Sequence, residues 1–447
     1  MKALTLEKGP EGTLNRKSLT FIALGQVVGS GIVTLVGVAQ NLTGASAWFA
    51  YAVAVFVGFF LAFPYFIIGS SLRLGGGPYS SVYALLGPRI AGVYLMGQIP
   101  AAISLATYPI AIGTYASSLW KGINPTLVAV IVLLLFFVIN LVGVDIFAKV
   151  QNVMGYVLLG SMLLFIIFGV VKIDWSLLSF KQANFFSGGL DGFLAAIFLF
   201  CYSTHGYYFA VGFGRDAKHA RKDIPPAMAV CIPIIFIMYT GVAMVDTGTL
   251  PLDQVAGQPL TLVASVILPK VMFPIFIIGG VLMALATSLN ACFGFNGRQI
   301  GTGIADGWLP TKLAKVNKRG TQTFVLLILL VLGLIPVLTG YDVGKITNNV
   351  ILFTSILTII MYIGAFRIPT MYPEQWASST MHMPNGLFYT LMIISTVAQG
   401  FMIYYSCRGV GPVTAIISIS ALAVAAIYSA IRWKSGKVNA LPSVWSD

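Results

Sequence analysis

The 447-residue chain is short of charge, with 13 Asp and Glu and 26 Lys and Arg making up 9% of its residues. Soluble domains carry about 25%, so a water-facing globular surface cannot be built from this supply. Cysteine is scarce and scattered: Cys201, Cys231, Cys292 and Cys407 show no CxxC spacing. That excludes a zinc ribbon or a disulfide framework and reads the four as small packing residues. The few polar residues form no metal-ligand cluster, nucleophile–base pair or phosphate loop, which argues against an enzyme.

What the chain has instead is apolar length. It is 58% hydrophobic, with a mean hydropathy of +0.91. Runs of about 20 apolar residues suffice to cross a bilayer as helices, and about twelve are expected, at 21–42, 48–69, 90–119, 125–147, 151–171, 191–213, 224–247, 271–304, 322–340, 345–366, 386–405 and 410–433. The fold class is an all-α integral membrane protein. Residues 1–17 are polar and the run from Phe21 is too long for a signal-peptide core, so the first span is expected to be retained.

The net charge of +13 is explained by where the charges fall. With the N-terminus cytoplasmic, Arg16, Lys17, Arg73, Arg89, Lys149, the 215–222 and 312–319 segments and 432–437 all lie inside, as the positive-inside rule requires. The basic balance therefore reports a plasma (inner) membrane protein with both termini cytoplasmic and in contact with anionic lipid, not a nucleic-acid binder.

The first span is broken by glycine, Gly25-Gln26-Val27-Val28-Gly29-Ser30-Gly31-Ile32, and a counterpart lies five spans later at Tyr202-Ser203-Thr204-His205-Gly206. Unwound backbone survives in hydrocarbon only where it lines a cavity or binds something, and interrupted helices at matching places in two halves point to a secondary transporter's site. Five crossings reverse orientation, so the second half is inverted. The expected organisation is a cytoplasmic N-terminus (1–20), a first five-helix repeat (21–171), a second inverted repeat (191–366), two additional helices (386–433) and a cytoplasmic tail (434–447).

Several short motifs occur in order: Gly29-Ser30-Gly31-Ile32, Gly75-Gly76-Gly77-Pro78-Tyr79, Leu86-Gly87-Pro88, Ala148-Lys149-Val150-Gln151-Asn152, Arg221-Lys222-Asp223-Ile224-Pro225, Leu289-Asn290-Ala291, Arg298 and Asp306-Gly307-Trp308-Leu309-Pro310. In this set the chain resembles permeases of the amino acid/polyamine/organocation (APC) superfamily. The resemblance implies a LeuT-like 5+5 inverted repeat with helices 1 and 6 broken, and alternating-access transport of amino acids or amines.

An amino acid offers a carboxylate and an ammonium. The N–H groups of Ser30, Gly31 and Ile32 at the start of an outer half-helix suit the carboxylate. Carbonyls freed near Val27, Tyr202 and Ser203 suit the ammonium, and glycine lets the cargo reach bare backbone. Gly25 and Gly29 also fit a plain GxxxG packing face. No acidic side chain falls mid-span near either break, which disfavours polyamines and favours a neutral amino acid. His205 is expected in the side-chain pocket, although a histidine tied to a backbone carbonyl fits equally.

Ala284, Thr287 and Ser288 share one helix face. In the LeuT-like fold such a face, opposite the carbonyls of Gly25 and Val28, resembles the family's sodium site; back-bonding of the two hydroxyls to their own helix is the competing expectation. Some members of the superfamily place a lysine in span 5 where that ion would sit; the corresponding residue here is Leu158. Sodium is the one coupling ion implied, with proton coupling or substrate exchange as alternatives and a non-transporting amino acid sensor as a rival of another class. No other cofactor is expected. The loop 120–125 has no cysteine, so no disulfide-linked accessory subunit is expected.

Overall fold

The computed structural model describes residues 9–120, 122–341, 343–408, 411–438 and 444–445. Residues 1–8 of the N-terminal segment, and 439–443, 446 and 447 of the tail, lie outside this set. The helices, in chain order, are α1 (Arg16–Val27), α2 (Ser30–Thr43), α3 (Ala47–Ser71), α4 (Pro78–Leu86), α5 (Pro88–Ala101), α6 (Thr107–Leu119), α7 (Pro125–Val142), α8 (Val144–Val170), α9 (Gly189–Thr204) and α10 (Ala220–Thr249). There follow α11 (Leu252–Val255), α12 (Thr261–Ile267), α13 (Met272–Phe276), α14 (Met283–Ala305), α15 (Thr323–Thr339), α16 (Val343–Ala365), α17 (Ile368–Met371), α18 (Pro373–Ala377), α19 (Asn385–Arg408) and α20 (Pro412–Lys434). A 3₁₀ segment, Gly206–Phe213, continues α9, and a π-helical turn, Ile277–Leu282, joins α13 to α14 across Gly279 and Gly280.

Local chemistry sets several boundaries. Asn15 starts α1 by accepting the Ser18 N–H at 3.0 Å. Asn124 accepts from Thr126 and Leu127 ahead of Pro125, and proline at the first helical position loses no hydrogen bond. Gly340 ends α15 in the left-handed region, φ 65°, where a side chain is strained. Among the described residues, nine helical stretches are long and apolar enough to cross a membrane, with two shorter apolar helices at Thr323–Thr339 and Phe353–Ala365. Outward-facing Ile416, Ile419, Val424, Ile427 and Ile431 on α20 would be costly in water and suit lipid.

The broken helices sit at the centre. α1 packs against α8, α10, α14 and the 3₁₀ segment, and α2 packs against α9. Both ends of the described chain meet at one end of the bundle. Leu14 N–H donates to the Asp216 carbonyl (2.8 Å), and Lys218 N–H donates to the Leu14 carbonyl (2.9 Å). A Cβ on Gly12 would strike the backbone of Asp216 and Ala217, so the strap needs glycine there. A short strand β1 (Arg73–Leu74) pairs antiparallel with β2 (Val444–Trp445). Arg73 is buried and donates to the carbonyls of Pro10, Gly214 and Ala217 at 2.5, 3.1 and 3.0 Å.

Two separated motif blocks converge at this same end. The Tyr79 hydroxyl donates to Asp306 Oδ2 (2.6 Å), and Trp308 Nε1–H donates to the Tyr79 oxygen (3.0 Å). Burial pushes the Asp306 carboxyl up to about 6, against a smaller opposing pull from the Tyr79 hydroxyl. Between its ordinary value near 3.9 and about 6, the folded chain holds a proton that the unfolded chain releases. Stability from this group therefore falls as pH rises through about 6. Thermal unfolding in detergent at pH 5 and 7.5 is expected to show the folded state gaining on the order of 1–2 kcal/mol at the lower pH relative to Asp306→Asn, whose profile lacks that step.

Candidate functional site

The first break spans Val28 and Gly29. α2 starts behind Gly29 with no side chain capping it, which leaves its leading amides without an intrahelical partner. Close approach explains both glycines flanking Ser30. A Cβ on Gly29 would lie 2.7 Å from Ser288 Oγ, and one on Gly31 would overlap the Ser203 side chain. Gly31 thus lets α2 touch the second break directly. That break falls at His205, between α9 and the 3₁₀ segment, where a Cβ on Gly206 would lie 3.3 Å from the Gln26 carbonyl.

A cavity of about 970 Å³ lies along both breaks. Val27, Gly31, Tyr202, Ser203 and His205 line it, and it reaches the bundle end that carries Asn41, Leu42 and Gly188, opposite the N-terminal strap. At that mouth Arg408 Nη1 donates to Asp191 Oδ1 at 2.6 Å. Of the remaining expected substrate residues, Ile32 is fully buried and does not line the cavity. Ser30 contributes the first amide of α2, and its side chain lies outside the described residues.

Long-range contacts at the breaks come from residues that the motifs did not single out. The Tyr239 hydroxyl of α10 donates to the Val27 carbonyl at 2.6 Å, and that carbonyl also accepts the Gly29 N–H at 2.9 Å. Both of its lone pairs are engaged, so Val27 offers the ammonium little, while Tyr202 and Ser203 remain at the cavity wall. Tyr51 Oη and Ser203 Oγ are 3.0 Å apart. Phe200 and Tyr207 are fully buried, and Tyr202 alone of the three lines the cavity. Cys292, expected as packing, faces the cavity with its thiol 3.5 Å from Gln26 Oε1 and 3.8 Å from Tyr108 Oη.

His205 is tied down as well as exposed to the cavity. Its Nδ1 hydrogen-bonds the Cys201 carbonyl, and its ring stacks on Tyr208 with centroids 5.7 Å apart. A carbonyl only accepts, so Nδ1 carries a proton, and in the neutral ring Nε2 is then the acceptor.

The residues of the expected ion set are buried, and four of its five oxygens are bonded in two pairs. Ser288 Oγ–H donates to the Gly25 carbonyl at 2.8 Å, and Thr287 Oγ1–H to the Ala284 carbonyl at 2.9 Å. Val28, Ala284, Thr287 and Ser288 are fully buried. Carbonyls and hydroxyls without a carboxylate fit a weakly held monovalent cation, provided that the two hydroxyls turn their protons away. Beside this set runs a chain of neutral amides. Gln151 Nε2–H donates to the carbonyls of Phe21 (3.2 Å) and Thr287 (3.3 Å), Asn290 Nδ2–H to Gln151 Oε1 (2.7 Å), and Asn140 Nδ2–H to Asn290 Oδ1 (3.0 Å). A Cβ on Gly25 would collide with the Gln151 amide, so this glycine admits the bridge.

The chain of amides ends in a second cavity of about 290 Å³ at the strap end, lined by Asn140, Phe147 and Arg298. There Arg298 pairs with Asp216 and lies 3.9 Å from the Phe213 ring centroid.

A bundle of apolar helices whose two interruptions meet at a lined cavity belongs to a multi-pass membrane transporter. The sequence profile of the amino acid permease family matches residues 14–433, and the chain belongs to that family, within the APC superfamily. It is 24% identical over 346 residues to the branched-chain amino acid permease BcaP of Bacillus subtilis, covering 71% of this chain and 72% of the relative. It is 24% identical to the methylthioribose transporter of the same organism, with 71% and 72% covered. With a D-serine/D-alanine/glycine transporter of Escherichia coli O6:H1 it shares 25% identity, over 79% and 80% of the two chains. Family and relatives are transporters, not enzymes.

Two substitutions probe the site. Gly31→Leu is expected to abolish ligand-induced thermal stabilisation, because the added side chain takes the place of Ser203 and covers the α2 amides. Gln151→Leu is expected to destabilise the purified protein by about 1–3 kcal/mol, since it takes the Gln151 acceptor from the buried Asn290 amide and removes the bridge to α1 and α14; thermal unfolding of the variant measures it.

Proposed function

We propose that the protein carries neutral amino acids across the plasma (inner) membrane by alternating access, with about twelve crossings, a 5+5 inverted repeat and cytoplasmic termini. One observation carries this reading: the uncapped N-terminus of α2 lies beside a cavity whose charged lining residues, Asp191 and Arg408, pair with each other at the mouth. The cargo carboxylate meets the α2 amides, and the wall at Tyr202 and Ser203 takes the ammonium. Packing of both ends of the described chain at one end of the bundle supports an even number of crossings. The cargoes of two of the three relatives, branched-chain amino acids in one and D-serine, D-alanine or glycine in the other, support a neutral amino acid.

Sodium is the proposed coupling ion, held by the carbonyls of Gly25, Val28 and Ala284 and the hydroxyls of Thr287 and Ser288. One charge moving down 100 mV supplies ~2.3 kcal/mol, which is about 50-fold accumulation. The present donation of both hydroxyls to carbonyls favours a second reading, exchange or proton-driven transport without that ion. Uptake into proteoliposomes under an inward sodium gradient, against choline, separates the two. Sodium-stimulated uptake that disappears in Thr287→Ala/Ser288→Ala supports the ion site, and stimulation surviving in that variant excludes it. Saturable binding of amino acids with no flux in either buffer would identify a sensor instead.

A further inference from the structure

Building on the amino acid carrier reading, we infer that the compartment beneath the helix breaks selects cargo whose side chain carries a hydroxyl or a carboxamide. Just on the strap side of the first break, Gln26 of α1 donates through Nε2 to Tyr108 Oη of α6 at 3.3 Å, and the Cys292 thiol of α14 touches both. One turn deeper on α14, Asn296 faces Gln98 of α5, with Gln98 Nε2–H donating to Asn296 Oδ1 at 3.4 Å. All five residues line the cavity. Below them Phe209 and Phe295 stack with ring centroids 3.9 Å apart and close the compartment toward the strap end.

This wall is polar, neutral and only loosely self-bonded. Among the described residues Gln98 Oε1 and Asn296 Nδ2 have no further hydrogen-bond partner, and both residues face the cavity. A charged cargo side chain would find no counter-ion at this depth. An aliphatic one would displace water from the two amides and leave them unpaired, the costlier side of the hydrogen-bond balance. A hydroxyl or carboxamide replaces that water bond for bond. Sites built to hydrogen-bond a cargo group reject analogues lacking it far more strongly than apolar pockets discriminate by size.

Isosteric pairs test the assignment without a change of shape. Dissociation constants of the detergent-purified full chain are measured for threonine against valine and for asparagine against leucine. At least one polar member is expected to bind about tenfold or more tightly than its apolar isostere. The contrast should fall to near unity in Gln98→Leu/Asn296→Leu, and should be reduced in the milder Asn296→Ser if the double variant does not fold. Equal or tighter binding of valine and leucine to the unaltered protein overturns the inference and leaves the amino acid carrier intact. A polar preference that persists undiminished in the foldable variants overturns the assignment to this wall. Failure of every amino acid to bind overturns the carrier reading itself.

Discussion

Backbone hydrogen bonding at the two interrupted helices is the constraint on which the remaining architecture depends. Each interruption frees carbonyls in apolar surroundings, and a buried group left unpaired costs about 1–3 kcal/mol. On the carbonyl side the protein supplies the partners: Tyr239 serves Val27 and Ser288 serves Gly25, while Gln151 adds a second bond to the helix-bonded Phe21 carbonyl one turn earlier. These donors come from α10, α14 and α8, so the last turns of α1 are bonded to three different helices. On the amide side no capping side chain serves the start of α2. The asymmetry leaves donors, rather than acceptors, turned toward the cavity, which is the polarity that an anionic cargo group requires.

The two ends of the bundle are built differently. At the mouth the cavity passes between Asn41, Gly188 and the Asp191–Arg408 pair. At the strap end closure is layered: the Phe209–Phe295 stack, then the Arg298–Asp216 pair under the Phe213 ring, then the strap of residues 9–15 laid over the 213–218 turn. Arg73 ties these layers to the chain ends by spending its donors on carbonyls of the strap and of the same turn. Opening this end means separating the 213–218 turn from α14 and the strap together, so the strap and β2 belong to the closed arrangement rather than to a loose tail.

Much of this was legible beforehand because it is local. Glycine spacing located both breaks, and hydropathy located the helices that flank them. Asn290, buried, and Arg298, half-buried, give their motif blocks a physical reading, since both bond to other segments of the chain. The resemblance places Ser288 opposite Gly25, as the structure does, but the contacts made by Tyr239 and Gln151 escaped. Tyr239 lies 212 positions from Val27 and Gln151 lies 130 from Phe21, and no periodicity records such pairings. Cys292, read as a packing residue, is buried in the core and also borders the cavity, which a lone small residue in an apolar span gives no mark of.

Neutrality is the common property of the polar chemistry held inside the bundle. The junction between α1, α7, α8 and α14 uses three amides where an ammonium would provide a stronger but costlier bridge, given that charge at this depth is expensive. Even the buried Asp246 of α10 is met by an amide, Gln40 Nε2 at 3.0 Å, rather than by a cation. Amide bridges have a consequence that ion pairs lack. They are worth roughly 1 kcal/mol each net, so helices joined by them can separate without stranding an unpaired charge in hydrocarbon, whereas breaking a buried ion pair costs about 3–5 kcal/mol. Under the proposed alternating access, contacts that are fully satisfied when closed and inexpensive to exchange would keep both arrangements within reach of the small free energies that a bound cargo supplies.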